Sequence, residues 1–534
     1  MTTERTMYQW FADTAGRHPD RLALRVGGND LAYRELAGAA ARVAGDLLRA
    51  AHGRPKRVGL LSSRTIGAYA GYLAALRLGV TLVPLNTESP AARNAGIIRA
   101  AGVDVLAHAP CDDQLAAELA EHTGVPLVRI GDGDALGHGR LTSLPDAGAG
   151  DPDDVAYIIF TSGSTGAPKG VPIRHRQFSV WLSYMVTCFD CRPDIRVAQT
   201  SDLAWDVSLW NLFIPWSCGG AVVVPERRDL LAPSEFINTN EITHWFSTPS
   251  VVTSARLLGD IAPGCLPTLR WCVFAGEALT VDNALAWYEA MPDGTLCNTY
   301  GPTEITCTCL TYPLPRDTAD WPEPELGGMV MGPAYPTVEA AVVRPDGRAA
   351  GDGEDGELLL RGPQRLDGYL DPAHDIGRFA SWDGRTLVPY DGTEPLTPEH
   401  WYRPGDGVRV RSEGYYFVGR LDDQVKVRGV RVEPGEVEAI MHRHQHVESA
   451  VVVPYTGEDG STELAGFHTG RPGVAADLSE FLAGCLPEYM VPRLLLWTNG
   501  FPLTTNGKVD RRVLVERARA VAEGESAQEW SRPA

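Results

Sequence analysis

Basic charge is in short supply in this sequence: 48 Lys and Arg stand against 68 Asp and Glu, a net charge of −20. A surface of that sign repels a phosphate backbone, which excludes nucleic acid as the main partner. Any polyanionic ligand has to be held by local basic groups and backbone amides. Cysteine is sparse as well, since ten in 534 residues do not make a disulfide scaffold. The one CxxC, Cys188 to Cys191, has no second pair at zinc-site spacing and reads as ordinary thiols. His442, His444 and His446 alternate at the end of an expected helix, where only the first and last share a face, so they read as solvated. Long apolar runs are missing: AYAGYLAALRLGVTLVPL is broken by Arg77 well short of a membrane span. The opening MTTERTMYQW lacks a basic stretch followed by an apolar one, so no secretory signal is expected. There is no internal repeat. What remains, 44% hydrophobic and 22% charged residues, is the composition of a globular protein of more than one domain, expected in the cytoplasm.

Periodicity predicts alternating strands and helices. RLALRVG, RVGLLSS and TLVPLN read as strands; RELAGAAARVAGDLLRAAH and AYAGYLAALRLG read as helices, the second ended by Gly79. The alternation resumes with YIIF, AVVVP and WCVFAG. This implies an α/β fold with parallel-rich sheets flanked by helices. From about Glu339 short strands and Gly-rich turns predict antiparallel sheet or a small barrel. A compact α+β segment follows Arg420. We therefore expect a large N-terminal domain over 1–421, a small mobile domain over 422–520 and a disordered tail over 521–534.

The strongest local signal is VAYIIFTSGSTGAPKG, Val155 to Gly170. A β-branched and aromatic strand runs into ten residues with three glycines, two serines, two threonines and a lysine. Glycines let amides turn toward a ligand, hydroxyls add donors and Lys169 adds positive charge, which suits phosphate oxygens. The spacing is not that of GxxxxGK[ST]. GDGEDG, Gly351 to Gly356, fits GxGxxG, but its three acids repel a pyrophosphate and a strand follows it, so it reads as a hairpin turn.

TSGSTGAPKG resembles the phosphate loop of the adenylate-forming superfamily, which holds acyl-CoA synthetases, firefly luciferase and the adenylation domains of nonribosomal peptide synthetases. Further motifs follow in that family's order: LAYREL, LRLGVTLVPLN, WDVS, NTYGPTE, GELLLRGPQRLDGYL, YRPGD, GRLDDQVKVRGVRVEPGEVE, LPEYMVP and NGKVDR. Together they span nearly the whole chain, and the long motif at Gly419 looks like the peptide-synthetase branch. Three positions depart from the family pattern: Pro404 replaces the usual Thr, Gly407 an apolar residue and Pro434 a leucine.

The resemblance implies ATP and Mg²⁺ as cofactors and assigns roles residue by residue. Thr161, Ser162, Gly163, Ser164, Thr165, Gly166 and Lys169 would hold phosphates. Gly276, Glu277, Asn298, Tyr300, Gly301 and Phe417 would surround the nucleoside, with Tyr300 stacking on adenine. Asp406 would accept both ribose hydroxyls, assisted by Arg420. Thr303 would donate to the α-phosphate, and Glu304 would bind Mg²⁺. Lys508 would bridge the substrate carboxylate and the α-phosphate as pyrophosphate leaves. Asp422 would be a hinge, and Gly429 would line a thiol tunnel in a second pose.

Asp206 matches the carboxylate that pairs with the α-amino group in amino-acid-activating members. The pocket carried over comprises Asp206, Val207, Trp210, Ser250, Val273, Ala275, Thr299, Cys307, Thr308 and Lys508. A large indole at Trp210 suits a small side chain such as alanine or serine. With no HHxxxDG motif and only a short stretch after Lys508, the chain looks like a free-standing enzyme that loads a separate carrier protein bearing phosphopantetheine. Two alternatives stay open. One is a CoA ligase; the other, of a different class, is a regulatory protein that binds ATP without transferring an acyl group.

Overall fold

A computed structural model of the chain describes residues 5–131, 150–163, 167–325, 327–457, 461–504 and 508–524. The expected helices form where the apolar residues recur at helical spacing. Tyr33–Ala50 carries its apolar stripe inward. Ile66–Leu78 is apolar all round, and every residue in it except Arg77 is buried. Thr65 caps that helix by accepting from the Ala68 amide, and Gly79 ends it at φ +60°, a conformation that costs a residue with a Cβ. A helix that periodicity had not suggested, Met7–Arg17, starts with reciprocal bonds between Thr6 and Gln9.

Chain compactness divides the molecule into two units. The first comprises Met1–Thr87, Ile97–Phe160 and Gly170–Leu421; the second comprises Glu88–Gly96, Thr161–Lys169 and Asp422–Ala534. In the first unit an eight-stranded sheet runs in the order Leu310–Pro313, Thr295–Tyr300, Trp271–Phe274, His244–Ser247, Arg196–Ala198, Ala221–Val224, Leu22–Val26, Asn29–Ala32. Its six central strands are parallel, and each end strand is antiparallel. A six-stranded sheet is built around Arg57–Leu61 and Thr81–Leu85, which are parallel neighbours in register from Arg57 opposite Thr81 to Leu61 opposite Leu85. The region expected to be antiparallel is a seven-stranded sheet whose pairings all run antiparallel. GDGEDG is the turn that leads into its strand Asp355–Arg361, with Gly353 at φ +79°. The main apolar core joins Met7–Arg17, Tyr33–Ala50, Ile66–Leu78 and the helix Val207–Cys218 to both parallel-rich sheets.

The second unit has its own two cores. A hairpin, Val425–Val427 with Val430–Val432, precedes the helix Pro434–Met441. A three-stranded sheet follows, with Val447–Thr456 antiparallel to Thr462–Gly470 and Leu494–Trp497 parallel to the latter. The last helix runs from Arg511 to Ala522, so residues 521 and 522 of the expected tail are helical; 525–534 lie outside the described residues. His442 follows the helix Pro434–Met441 rather than extending it, and His444 pairs with Asp477 at 3.2 Å. No helix among the described residues is long and apolar enough to cross a membrane.

Candidate functional site

The strand Thr295–Tyr300 delivers NTYGPTE to the C-terminal edge of the eight-stranded sheet, where open parallel sheets bind ligands. Immediately after it the backbone turns sharply. A Cβ on Gly301 would sit 2.4 Å from the Cys307 carbonyl oxygen and from Thr308 Cα, so only glycine fits. Thr306 and Cys307 take φ of +54° and +72°, unfavourable for residues with side chains. Gln364 holds the turn: its side-chain amide donates to the carbonyls of Ile305 and Thr308, both at 2.9 Å, and its backbone carbonyl accepts from the Thr306 hydroxyl at 2.7 Å.

That turn places three acid-bearing or hydroxyl groups together. Thr303 and Glu304 both lie close enough to Asp206 to act on its carboxyl, Thr303 through its hydroxyl and Glu304 by charge. Burial pushes the Asp206 carboxyl up to about 6; the Thr303 bond opposes this and the Glu304 charge adds to it. Asp206 precedes the helix Val207–Cys218, but its side chain does not cap it. Two neighbours feel the Asp206 charge: Cys307 and Tyr157, whose buried hydroxyl has no hydrogen-bond partner among the described residues. Glu304 is fully buried and accepts from Tyr369 at 2.6 Å. Thr303, which the resemblance assigns to the α-phosphate, has Asp206 within reach of its hydroxyl.

Beside this cluster, Asp406 accepts from the Tyr300 hydroxyl and from Arg420 at 2.8 Å. Tyr300 and Asp406 are both buried. The Asn298 amide donates to the carbonyls of Met329 and Val330 at 3.1 and 2.8 Å. Gly276 has φ +89°, and Glu277 accepts from the Ser250 amide at 2.9 Å. Phe417 is exposed on the strand Gly414–Arg420.

The side-chain pocket residues Val273, Ala275, Thr299, Cys307 and Thr308 are all buried. Trp210 is fully buried, edge-on to Phe189 and Phe246 at ring distances of 5.3 and 5.4 Å. Its indole N–H has no acceptor among the described residues. The three pocket hydroxyls already have protein partners. Ser250 bonds Thr248 at 2.7 Å, Thr299 bonds Thr311 at 2.8 Å, and Thr308 accepts from Trp181 at 2.9 Å.

In the second unit Ser162 donates to the Arg431 carbonyl at 2.8 Å, and the Gly163 amide donates to the Glu436 carboxylate at 3.2 Å. Lys169 is buried, and the buried Thr161 hydroxyl has no partner among the described residues. Ser164, Thr165 and Gly166 lie outside the described residues. Asp422 accepts from the Gln424 amide at 3.3 Å. Gly429 and Arg428, at φ +79° and +50°, form the two-residue turn of the hairpin, which needs left-handed backbone at both positions. Lys508 is exposed, and its carbonyl accepts from the Thr504 amide at 2.7 Å.

Sequence reasoning assigned no role to Gln364, Tyr369 or Tyr157. The first two lie within GELLLRGPQRLDGYL, and Tyr157 lies in the strand that leads into TSGSTGAPKG; a hydroxyl in the middle of an apolar strand was the available signal for the last.

Comparison with known proteins agrees with this architecture. The profile of the family described as AMP-binding enzyme matches residues 11–370, and that of the AMP-binding enzyme C-terminal domain matches 436–508. The chain is 35% identical over 520 residues to phosphinothricin tripeptide synthetase PhsC of Streptomyces viridochromogenes, covering 96% of this chain and 45% of that one. It therefore spans less than half the length of that relative. It is 31% identical over 482 residues to an L-proline–[L-prolyl-carrier protein] ligase of Pseudomonas fluorescens, covering 87% and 90% respectively. Among solved structures, the Vibrio cholerae adenylation domain AlmE in complex with glycyl-adenosine-5′-phosphate superposes with a TM-score of 0.80 at 25% identity, over 97% and 98% of the two chains. Enzymes of this family use ATP with Mg²⁺. The donor set here fits both. The Gly163 amide already holds a carboxylate anion, beside the unpartnered Thr161 hydroxyl. Glu304 is a single buried carboxylate of the kind that binds Mg²⁺ together with phosphate and water oxygens.

Proposed function

Because the chain belongs to the family of AMP-binding enzymes, we propose that it adenylates a small α-amino acid, alanine or serine in size, with release of pyrophosphate. It then passes the aminoacyl group to the phosphopantetheine thiol of a separate carrier protein. The observation that carries the substrate class is Asp206, a carboxyl raised to about 6 by burial. It has a hydroxyl for company but wants a cation. An α-ammonium supplies one, whereas a fatty or aryl acid leaves the carboxylate uncompensated.

The side-chain end of the pocket supports small substrates. A large indole at Trp210, packed edge-on against Phe189 and Phe246, supports a pocket for a short side chain. The engaged state of Ser250, Thr299 and Thr308 leaves serine without a dedicated partner, which tilts the reading toward alanine or glycine. Similarity along 90% of a carrier-protein ligase supports a carrier as acceptor.

In this reading 1–421 is the adenylation core and 422–520 the small domain that contributes Lys508. The Tyr300–Asp406–Arg420 network holds the ribose end of ATP, the Thr161–Lys169 loop holds its phosphates and Glu304 holds Mg²⁺, which neutralises phosphate charge when bound. Asp206 orients the amino acid so that its carboxylate faces the α-phosphate, and Lys508 stabilises the charge that develops there. Asp422 and Gly429 serve the later thiol step.

Amino-acid-dependent ATP–pyrophosphate exchange over the common α-amino acids and β-amino acids tests the reading, with alanine, glycine or serine expected to lead. ADP as product, or exchange driven best by a bulky aromatic or by an acid without an amine, overturns it. Loading of CoA in preference to a carrier protein overturns the acceptor assignment alone.

A further inference from the structure

The helix His175–Cys188 carries two residues one turn apart, Trp181 and Met185, that both reach Thr308. The Trp181 indole N–H donates to the Thr308 hydroxyl at 2.9 Å, and that hydroxyl donates in turn to the Met185 sulfur at 3.8 Å. All three side chains are buried, and Trp181 packs against Phe178 with ring centres 5.6 Å apart. Trp181 lies outside every motif that carries the site residues. We propose that Trp181 is a positioning residue that sets the preference between alanine and serine, by holding the Thr308 hydroxyl against this helix and away from a substrate hydroxyl. The proposal rests on the reading of the chain as an enzyme for small α-amino acids, with Thr308 in the side-chain pocket.

A threonine side chain has one oxygen and one methyl, in staggered positions about 120° apart around the same bond. Both polar partners of Thr308 belong to one helix, so its oxygen is turned to that helix. Swinging the oxygen toward a substrate would leave the indole N–H buried without an acceptor, which costs more than one neutral hydrogen bond returns. A serine hydroxyl therefore enters the pocket with no partner from Thr308, while an alanine methyl needs none. Replacing the indole by a phenyl ring removes the donor. Thr308 is then held only by a sulfur, a weak acceptor, and its oxygen can turn.

ATP–pyrophosphate exchange by the full chain with serine, alanine and 2-aminobutyrate tests the proposal. 2-Aminobutyrate has a methyl where serine has its hydroxyl, so the serine-to-2-aminobutyrate ratio of kcat/KM reads the hydroxyl apart from size. In Trp181→Phe that ratio should rise about two- to tenfold, the worth of one neutral hydrogen bond. Adding Thr308→Val to that variant should return the ratio to its wild-type value. An unmoved ratio in Trp181→Phe, or serine and 2-aminobutyrate rising together as they would from added space, overturns the proposal, while alanine-dependent exchange leaves the substrate reading standing. Wild type without exchange on alanine, glycine or serine removes that reading and the proposal with it. Where Trp181→Phe folds poorly, Thr308→Val alone decides: it should keep the wild-type ratio, and a selective loss of serine overturns the proposal.

Discussion

Replacing Asp206 by Asn should weaken amino-acid use and stabilise the empty protein, two effects that misfolding cannot produce together. In the ligand-free site the carboxyl titrates at about 6 against an ordinary 3.8. That difference corresponds to about 3 kcal/mol held against the ionised form at neutral pH. Asparagine removes that cost, so the melting temperature at pH 7.5 should rise. The same change leaves a substrate ammonium unpaired in a desolvated pocket, a loss of roughly 3–5 kcal/mol, or roughly a hundred- to several thousand-fold in kcat/KM. The loss should appear mainly in KM for the amino acid, with ATP binding unchanged. The pH profile gives a second readout. For the wild type, kcat/KM should fall about tenfold per unit below pH 6, because the free enzyme must first lose the Asp206 proton. Asp375, also raised to about 6 by burial, titrates in the same range, so the comparison has to be made within the variant. In Asp206→Asn the acid limb should be absent. Pyrophosphate exchange measured from pH 5 to 8 checks this. A variant that keeps wild-type kcat/KM, or keeps an acid limb with the same midpoint, refutes the pairing of Asp206 with the substrate amine.

Lys508→Ala should abolish exchange by several kcal/mol in the barrier while ATP still binds, since the side chain is exposed and its loss disturbs no core; isothermal titration beside the exchange assay separates the two. Trp210→Ala should admit longer side chains and cost about 3–5 kcal/mol of stability, because it empties a fully buried site; denaturant titration and an amino-acid panel read both. Burial lowers His244 from 6.5 to about 4. Its folded value lies below the unfolded one, so its contribution is complete above pH 6.5 and drains away as pH falls toward 4. The melting temperature of His244→Gln should therefore change less than that of the wild type between pH 6.5 and 4.

Legibility in the sequence followed the range over which each residue's partners lie. Helix ends and turns were readable because their causes are local: Gly79 stops a helix at φ +60°, and Gly353 turns the chain into Asp355–Arg361. The sheets were readable because apolar runs of strand length alternate with helices, such as Tyr33–Ala50 and Ile66–Leu78. The chemistry of the site was readable only as residue types in motifs, because the interactions that tune it join distant positions. Tyr300 meets Asp406 106 residues away, and Gln364 reaches back 59 residues to hold the turn after Gly301. Thr303 shows the consequence. Its motif points to a phosphate, and its hydroxyl also lies within reach of Asp206, a residue on a different element. A hydroxyl that can turn between the two acceptors would link amine recognition to phosphate positioning. Local sequence cannot encode that coupling, because it exists only once the helix start at Asp206 and the turn at Gly301 are folded against one another.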